Sequence, residues 1–507
     1  MPARENEDSI SSGFEPETPS SLEPSMPSAN LNTSFDSLET YNAEQNAASR
    51  DSALDEIPLI QDLPHNSYNP SGTNTLYTVI LIVNAALGAG LLNFPKAFEQ
   101  AGGIAVAVTV QLILLAFIIS SLNILAYSAD RNSSGPASTI EDVMGQSVGR
   151  FGRILTSLCV VVYCFGVTVT FLIMIGDQFD RLFSSLIGPD YCLKFYLNRD
   201  FTMSITGIAI ILPLCFSKKI DFLRIPSMVG VIAVFYLMAL ICYEYFGGHF
   251  VPGEIKYRPD KWTDVFLVVP DICFGYQCHV SVIPIYSCMK HRNLKSFSIV
   301  SVSAISVCAL AYTVSAAFGY LTFGSKIDAD ILLSFPADKS HPEVIIGIIA
   351  MALKTISTYP ILLFCGREAL KNVIKDVRNM LGQEINEQED NITLRVVIVL
   401  VWFALSILCA VLVPNIGEAI SFLGCLAAYF IFCIPGVCLI AIILKSDPSL
   451  IRNKNKMLLV VGGLYVVVGA FIFGVVLVQD IQTVEKTVTS GYLRYYFKLS
   501  KMSCTVS

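Results

Sequence analysis

Small and polar residues set inside long apolar stretches are where this sequence offers chemistry. The stretch 75–98 carries Asn84, then Gly88, Ala89 and Gly90, then Pro95; the stretch 263–287 carries Gly275, Tyr276, Gln277 and His279 at its middle and Pro284 beyond; a third carries Lys354, Ser357 and Thr358. Glycine costs a helix about 1 kcal/mol and proline about 3, so the first two stretches are expected to break midway. A break frees backbone N–H and C=O groups, and each costs several kcal/mol if left bare in hydrocarbon. These groups must therefore face a partner.

The N–H groups of Gly88, Ala89 and Gly90 stand at the positive end of the following half-helix, which suits a substrate carboxylate. The carbonyls ending the preceding half-helix suit a small cation. Gly275, Tyr276 and Gln277 occupy the second break and are candidate substrate contacts. Asn84, Ser357 and Thr358 add side-chain oxygens of the kind that bind Na⁺, although a lone Asn or Thr in a membrane helix is more often a packing residue. Lys354 lies four residues before Thr358, on the same helical face and about 16 Å down a helix that begins near Glu343. Its ammonium would repel Na⁺ or stand in for it, or else it snorkels to the surface or pairs with Asp271. His279, a side chain that titrates near neutrality, is either a proton-linked group or a satisfied buried histidine.

The elements that hold these residues follow from composition. Hydrophobic residues make up 53% of the chain and charged ones 15%, against about 25% charged in soluble domains. This is an integral membrane protein, and helices are the only open-ended spans a bilayer tolerates. Apolar runs at 75–98, 103–128, 153–187, 202–216, 225–246, 263–287, 296–323, 343–370, 393–413, 416–444 and 457–480 predict eleven transmembrane helices. The broken first run opens one block of five and the broken sixth opens another. Five being odd, the second block enters with opposite orientation, which is the leucine-transporter-type 5+5 inverted repeat with one helix added. The predicted organisation is a first repeat at 74–246, a second at 263–444, a last helix at 457–480 and a tail at 481–507.

Residues 1–73 hold thirteen acidic residues against Arg4 and Arg50, are rich in Ser, Pro, Asn and Glu, and read as a disordered tail. That tail carries the acidity, since the rest of the chain stands at +4 where the whole is −7. No cleavable leader is visible, so the amino terminus is expected in the cytosol. Inner connections then hold fifteen Lys and Arg against seven in the outer ones, as the positive-inside rule requires. The last tail, with four basic residues outside, goes mildly against it.

Three motifs carry a resemblance: NAALGAGLLNFP at 84–95, ICFGYQCHVSVIPIY at 272–286 and TYPILLFCGRE at 358–368. They resemble the amino acid/auxin permease superfamily and, within it, the sodium-coupled neutral amino acid transporters of solute carrier family 38, over roughly residues 75–445. The resemblance implies secondary active transport of neutral amino acids, glutamine and asparagine foremost, with a sodium site on Asn84 and Thr358; Ser357 joins it by adjacency alone. It also implies a lysosomal or late endosomal membrane, with the plasma membrane as the alternative. Family members often carry an outer disulfide, but Cys192 has no cysteine partner between Gly247 and Trp262, so none is expected.

Asp55, Leu59 and Ile60 fit an acidic dileucine sorting signal in the cytosolic tail, which implies a sorting adaptor or a signalling partner there. The sequons at Asn32, Asn132 and Asn391 fall on the inner side and are not expected to carry glycan. Most of the fifteen cysteines lie in or beside apolar runs as packing residues, and no Cys-x-x-Cys or Cys/His spacing suggests zinc. No nucleophile–base pair, cofactor motif or nucleic-acid surface is visible. The reading is a transporter, with Na⁺ as coupling ion and no cofactor. The alternatives are a proton-coupled or sodium-independent transporter, or an amino-acid sensor.

Overall fold

The structure is a computed structural model that describes residues 67–68 and 72–489, apart from Ala89 and the connections 132–136, 138, 189–193, 217–223, 337–340, 383–391, 413–415 and 446–452. The sorting motif at Asp55, Leu59 and Ile60, nearly all of the 1–73 tail, all three sequons, Cys192 and the end of the carboxyl tail with Cys504 lie outside the described residues.

The chain from residue 72 is a bundle of helices. In order these are α1 (Thr75–Ala86), α2 (Gly90–Gln100), α3 (Ile104–Asp130), α4 (Ile140–Val148), α5 (Arg150–Ile187), α6 (Arg199–Thr206), α7 (Arg224–Gly247), α8 (Val268–Gly275), α9 (His279–Ser287), α10 (Leu294–Phe323), α11 (Pro342–Met380), α12 (Ile392–Leu412), α13 (Ile416–Ala428), α14 (Ile434–Lys445) and α15 (Asn453–Thr489). Several start on caps written in the sequence: the Asn74, Thr139 and Asn293 side chains accept from the backbone N–H of Thr75, Asp142 and Ser296.

Among the described residues, nine helices are long and apolar enough to cross a membrane, and the bent pair α1–α2 makes a tenth. The run expected at 202–216 is helical through α6, a π turn at Gly207–Ile211 and a short turn at Leu212–Cys215, and is briefer than the others. A second π turn, Tyr429–Cys433, joins α13 to α14. Outward-facing Leu112, Ile299, Leu310, Leu353, Val401 and Leu408 are exposed, as a lipid-facing surface requires.

One small departure from an all-helical fold stands before α1. Ser67–Tyr68 pairs antiparallel with His291–Arg292, and Thr73 bridges to Met289. The segment leading into α1 is thereby tied to the connection leaving α9.

Candidate functional site

The first break lies where expected. α1 ends at Ala86 and α2 starts at Gly90, with the two axes bent by 61°. At the second break the hydrogen-bond ladder slips, as Tyr276 N–H donates to Ile272 O at 3.0 Å but Gln277 N–H donates to Phe274 O at 3.2 Å. There 262–287 still runs as one span. The two breaks meet backbone to backbone: a Cβ on Gly90 would stand 3.0 Å from Gly275 Cα, and one on Gly275 would stand 2.6 Å from the Phe94 ring. Gly90 needs glycine because the second main chain passes against it, and Gly275 because the Phe94 and Tyr312 rings fill the space a side chain would take.

The freed groups find protein partners as well as open space. Tyr312, on α10, bridges the breaks: its hydroxyl lies 2.8 Å from Ala86 O and 2.9 Å from Gly275 O, and it accepts from Gly88 N–H at 3.4 Å. Phe94 stacks on its ring, with centroids 4.2 Å apart. Lys354, from α11, is 4% exposed and donates to Leu87 O, the first carbonyl past α1. Asp271, its other expected partner, accepts from Asn93 Nδ2.

Beside the breaks lies a cavity of about 440 Å³, within the range of small-molecule sites. Asn84, Gly88, Gly90, Gly275, Gln277 and Thr358 all line it. A Cβ on Gly88 would meet nothing within 4 Å, so this backbone is open to an occupant. Gln277 is the most telling side chain. Its Oε1 lies 2.9 Å from His279 Nδ1, while its buried Nε2 has no hydrogen-bond partner. His279 is fully buried and its Nε2 lies 2.6 Å from Ser121 Oγ, so both ring nitrogens are engaged. The histidine thus holds the Gln277 amide in place.

The remaining sequence-predicted residues are placed differently. Tyr276 does not line the cavity; it caps the end of α8, and its hydroxyl accepts from Gln111 Nε2 at 2.6 Å. Ser357 and Thr358 both donate to Lys354 O at 2.8 Å, and only Thr358 reaches the cavity wall. Ala89 lies outside the described residues. Sequence reasoning missed Tyr312, Gln111 and Ser121, whose one signal was a polar group inside an apolar run.

Among the described residues lining the cavity none is Asp, Glu, Lys or Arg. A helical membrane bundle with a cavity lined by uncharged side chains at a bent first span is the architecture of a small-solute transporter rather than an enzyme. Residues 71–479 match the family described as transmembrane amino acid transporter protein, and the chain belongs to that family. It is similar to proteins named sodium-coupled neutral amino acid transporter 7 from Danio rerio, 38% identical over 425 residues covering 82% of this chain and 89% of the relative, and from Homo sapiens, 36% identical over 435 residues covering 83% and 92%. It is also similar to solute carrier family 38 member 8 of Homo sapiens, 33% identical over 427 residues covering 82% and 95%.

Proposed function

We propose that this chain is a secondary active transporter of neutral amino acids with glutamine or asparagine as substrate, coupled to Na⁺. The observation that carries the reading is the cavity itself: uncharged side chains, the open backbone at Gly88 and an unpartnered Gln277 Nε2 around one space. The substrate carboxylate meets the N–H end of α2, and Gln277 Nε2 donates to an oxygen of the substrate. A carboxamide side chain offers such an oxygen, which is why glutamine and asparagine are favoured. Na⁺ binds between the Asn84 and Thr358 side-chain oxygens and the carbonyl end of α1. Substrate and ion together favour one arrangement of the 5+5 repeat, and the bundle rocks to expose the site to the other side. The names of the relatives support the neutral substrate and the sodium coupling.

Lys354 supports a second reading. Its ammonium already sits on a carbonyl of the end where Na⁺ would bind, so a sodium-independent or proton-linked cycle is the competing assignment. We place the protein in the lysosomal or late endosomal membrane with its amino terminus in the cytosol, where Asp55, Leu59 and Ile60 engage a sorting adaptor. Purified protein in liposomes should accumulate labelled glutamine down a Na⁺ gradient. Absence of uptake for every neutral amino acid would overturn the assignment, and uptake indifferent to Na⁺ would favour the second reading.

A further inference from the structure

A separate cluster of metal-ligating side chains joins the last turn of α7 to the first turn of α11. The Glu244 side chain is fully buried; its Oε2 lies 3.3 Å from His249 Nδ1, and its Oε1 has no hydrogen-bond partner. Across from it, His341 precedes α11 and its Nδ1 lies 3.0 Å from Glu343 Oε1 in the first helical turn. One ligand atom from each of Glu244, His341 and Glu343 lies within 4.8 Å of the others. The His249 and His341 rings meet edge to face, with centroids 6.1 Å apart. A buried carboxylate oxygen left without a partner is costly, and packing gives no reason for placing one beside an imidazole and a second carboxylate.

We propose that Glu244, His341 and Glu343 form a binding site for a divalent transition-metal ion, with Zn²⁺ the best match, and that His249 orients Glu244. The donor set is an imidazole nitrogen and two carboxylate oxygens. Imidazole selects Zn²⁺ over Mg²⁺ and Ca²⁺, which prefer all-oxygen sites. With bonds of about 2.1 Å, tetrahedral ligand atoms stand about 3.4 Å apart, so these side chains must draw in by roughly 1 Å. His341 and Glu343 are 24% and 29% exposed, which leaves them room to do so. The orphaned Glu244 oxygen gains its partner, and three protein ligands leave one position for water.

The ion pins α7 to α11 at one end. The same two helices meet deeper in the bundle, where a Cβ on Gly230 would stand 3.1 Å from Lys354 Cγ. Tyr236 of α7 also donates to Glu343 O at 2.9 Å. Fixing this pair restrains the helix that carries Lys354 and Thr358, so metal slows transport; this consequence rests on the transport reading, whereas the site does not.

The test uses the full chain purified in detergent and stripped of metal. Zn²⁺ should bind saturably at one ion per chain and raise the melting temperature, and Co²⁺ should give the visible absorption of a four-coordinate site. His341→Ala and Glu343→Gln, both at partly exposed positions, should weaken Zn²⁺ binding at least tenfold while leaving the metal-free melting temperature unchanged. In liposomes, Zn²⁺ should slow uptake several-fold by the parent protein and not by either variant. Equal Zn²⁺ affinity in the parent and both variants, or no saturable binding, overturns the site. Binding with uptake indifferent to Zn²⁺ overturns the coupling to transport, and a Co²⁺ spectrum in a protein that carries no amino acid would sustain the site while the transport reading fails.

Discussion

Replacing Lys354 by methionine removes the cation that the structure sets on Leu87 O at the carbonyl end of α1. Methionine nearly fills the space of the lysine stem, so the change is chiefly electrostatic. Residues 354 and 358 are one helical turn apart, their Cβ atoms roughly 6 Å from each other, and at that spacing the ammonium repels an ion held by Thr358. At an effective dielectric constant of about 20, that repulsion is about 3 kcal/mol, or roughly a hundredfold in Na⁺ affinity. The loss of a partner for Leu87 O works in the same direction, because a freed carbonyl is one more oxygen for the ion. Lys354→Met should therefore lower the half-saturating Na⁺ concentration for glutamine uptake by one to two decades, whereas Lys354→Arg should leave it near the parent value. Uptake in proteoliposomes at stepped Na⁺, each at two values of pH, measures both the affinity and any proton linkage. If Lys354→Met leaves the Na⁺ and pH dependences within a factor of about three of the parent, Lys354 has no part in ion coupling and the electrostatic reasoning fails.

Tyr312→Phe removes the hydroxyl that joins both breaks; with about 1–3 kcal/mol for each buried backbone group left unpaired, it should lower the melting temperature and raise the glutamine KM together. Gln277→Leu should weaken glutamine at least tenfold while changing alanine uptake little, read as the ratio of their kcat/KM values, because only a substrate with a carboxamide loses a partner. Asp330 lies in the connection before α11, and burial, followed by the charge of Asp177, pushes its carboxyl from 3.8 up to about 7. The folded chain then keeps a proton that the unfolded chain has lost, so stability falls as pH rises from about 4 to about 7 and is level above. Asp330→Asn, which keeps the shape and the acceptor for Leu332 N–H, should flatten that slope and stabilise by up to about 4 kcal/mol at pH 8 and not at pH 4, as followed by thermal unfolding. On the proposed lysosomal placement, Leu59→Ala with Ile60→Ala should shift the protein towards the cell surface, as scored by microscopy.

Much of the fold was legible because a bilayer leaves a chain few choices. The apolar runs became helices at nearly the expected bounds, and the 75–98 run broke at Gly88–Gly90, where helix propensity and the need for an open backbone coincide. Asn84 and Gln277, picked out by their place at the breaks, and Thr358, picked out by its hydroxyl and the family resemblance, come to line one cavity. Tyr276 went astray because occupying a break does not say which way a side chain turns. The direction depends on backbone dihedrals past the end of α8, where Tyr276 has left the helix, and packing against neighbouring helices settles them.

What the sequence determined by itself is the class of structure and the place of the breaks, since hydropathy, glycine and proline act locally and in every context. Only the tertiary structure decided which groups answer the freed backbone. Tyr312 from α10 and Lys354 from α11 arrive at the α1 break from more than 200 residues away. Gln277 keeps a free amide because His279, pinned by Ser121 of α3, holds its other end. Glu244 comes to face His341 and Glu343 only where the end of α7 meets the start of α11. A local pattern can announce that a polar group needs a partner; its identity depends on helix packing, which no spacing along one helix encodes.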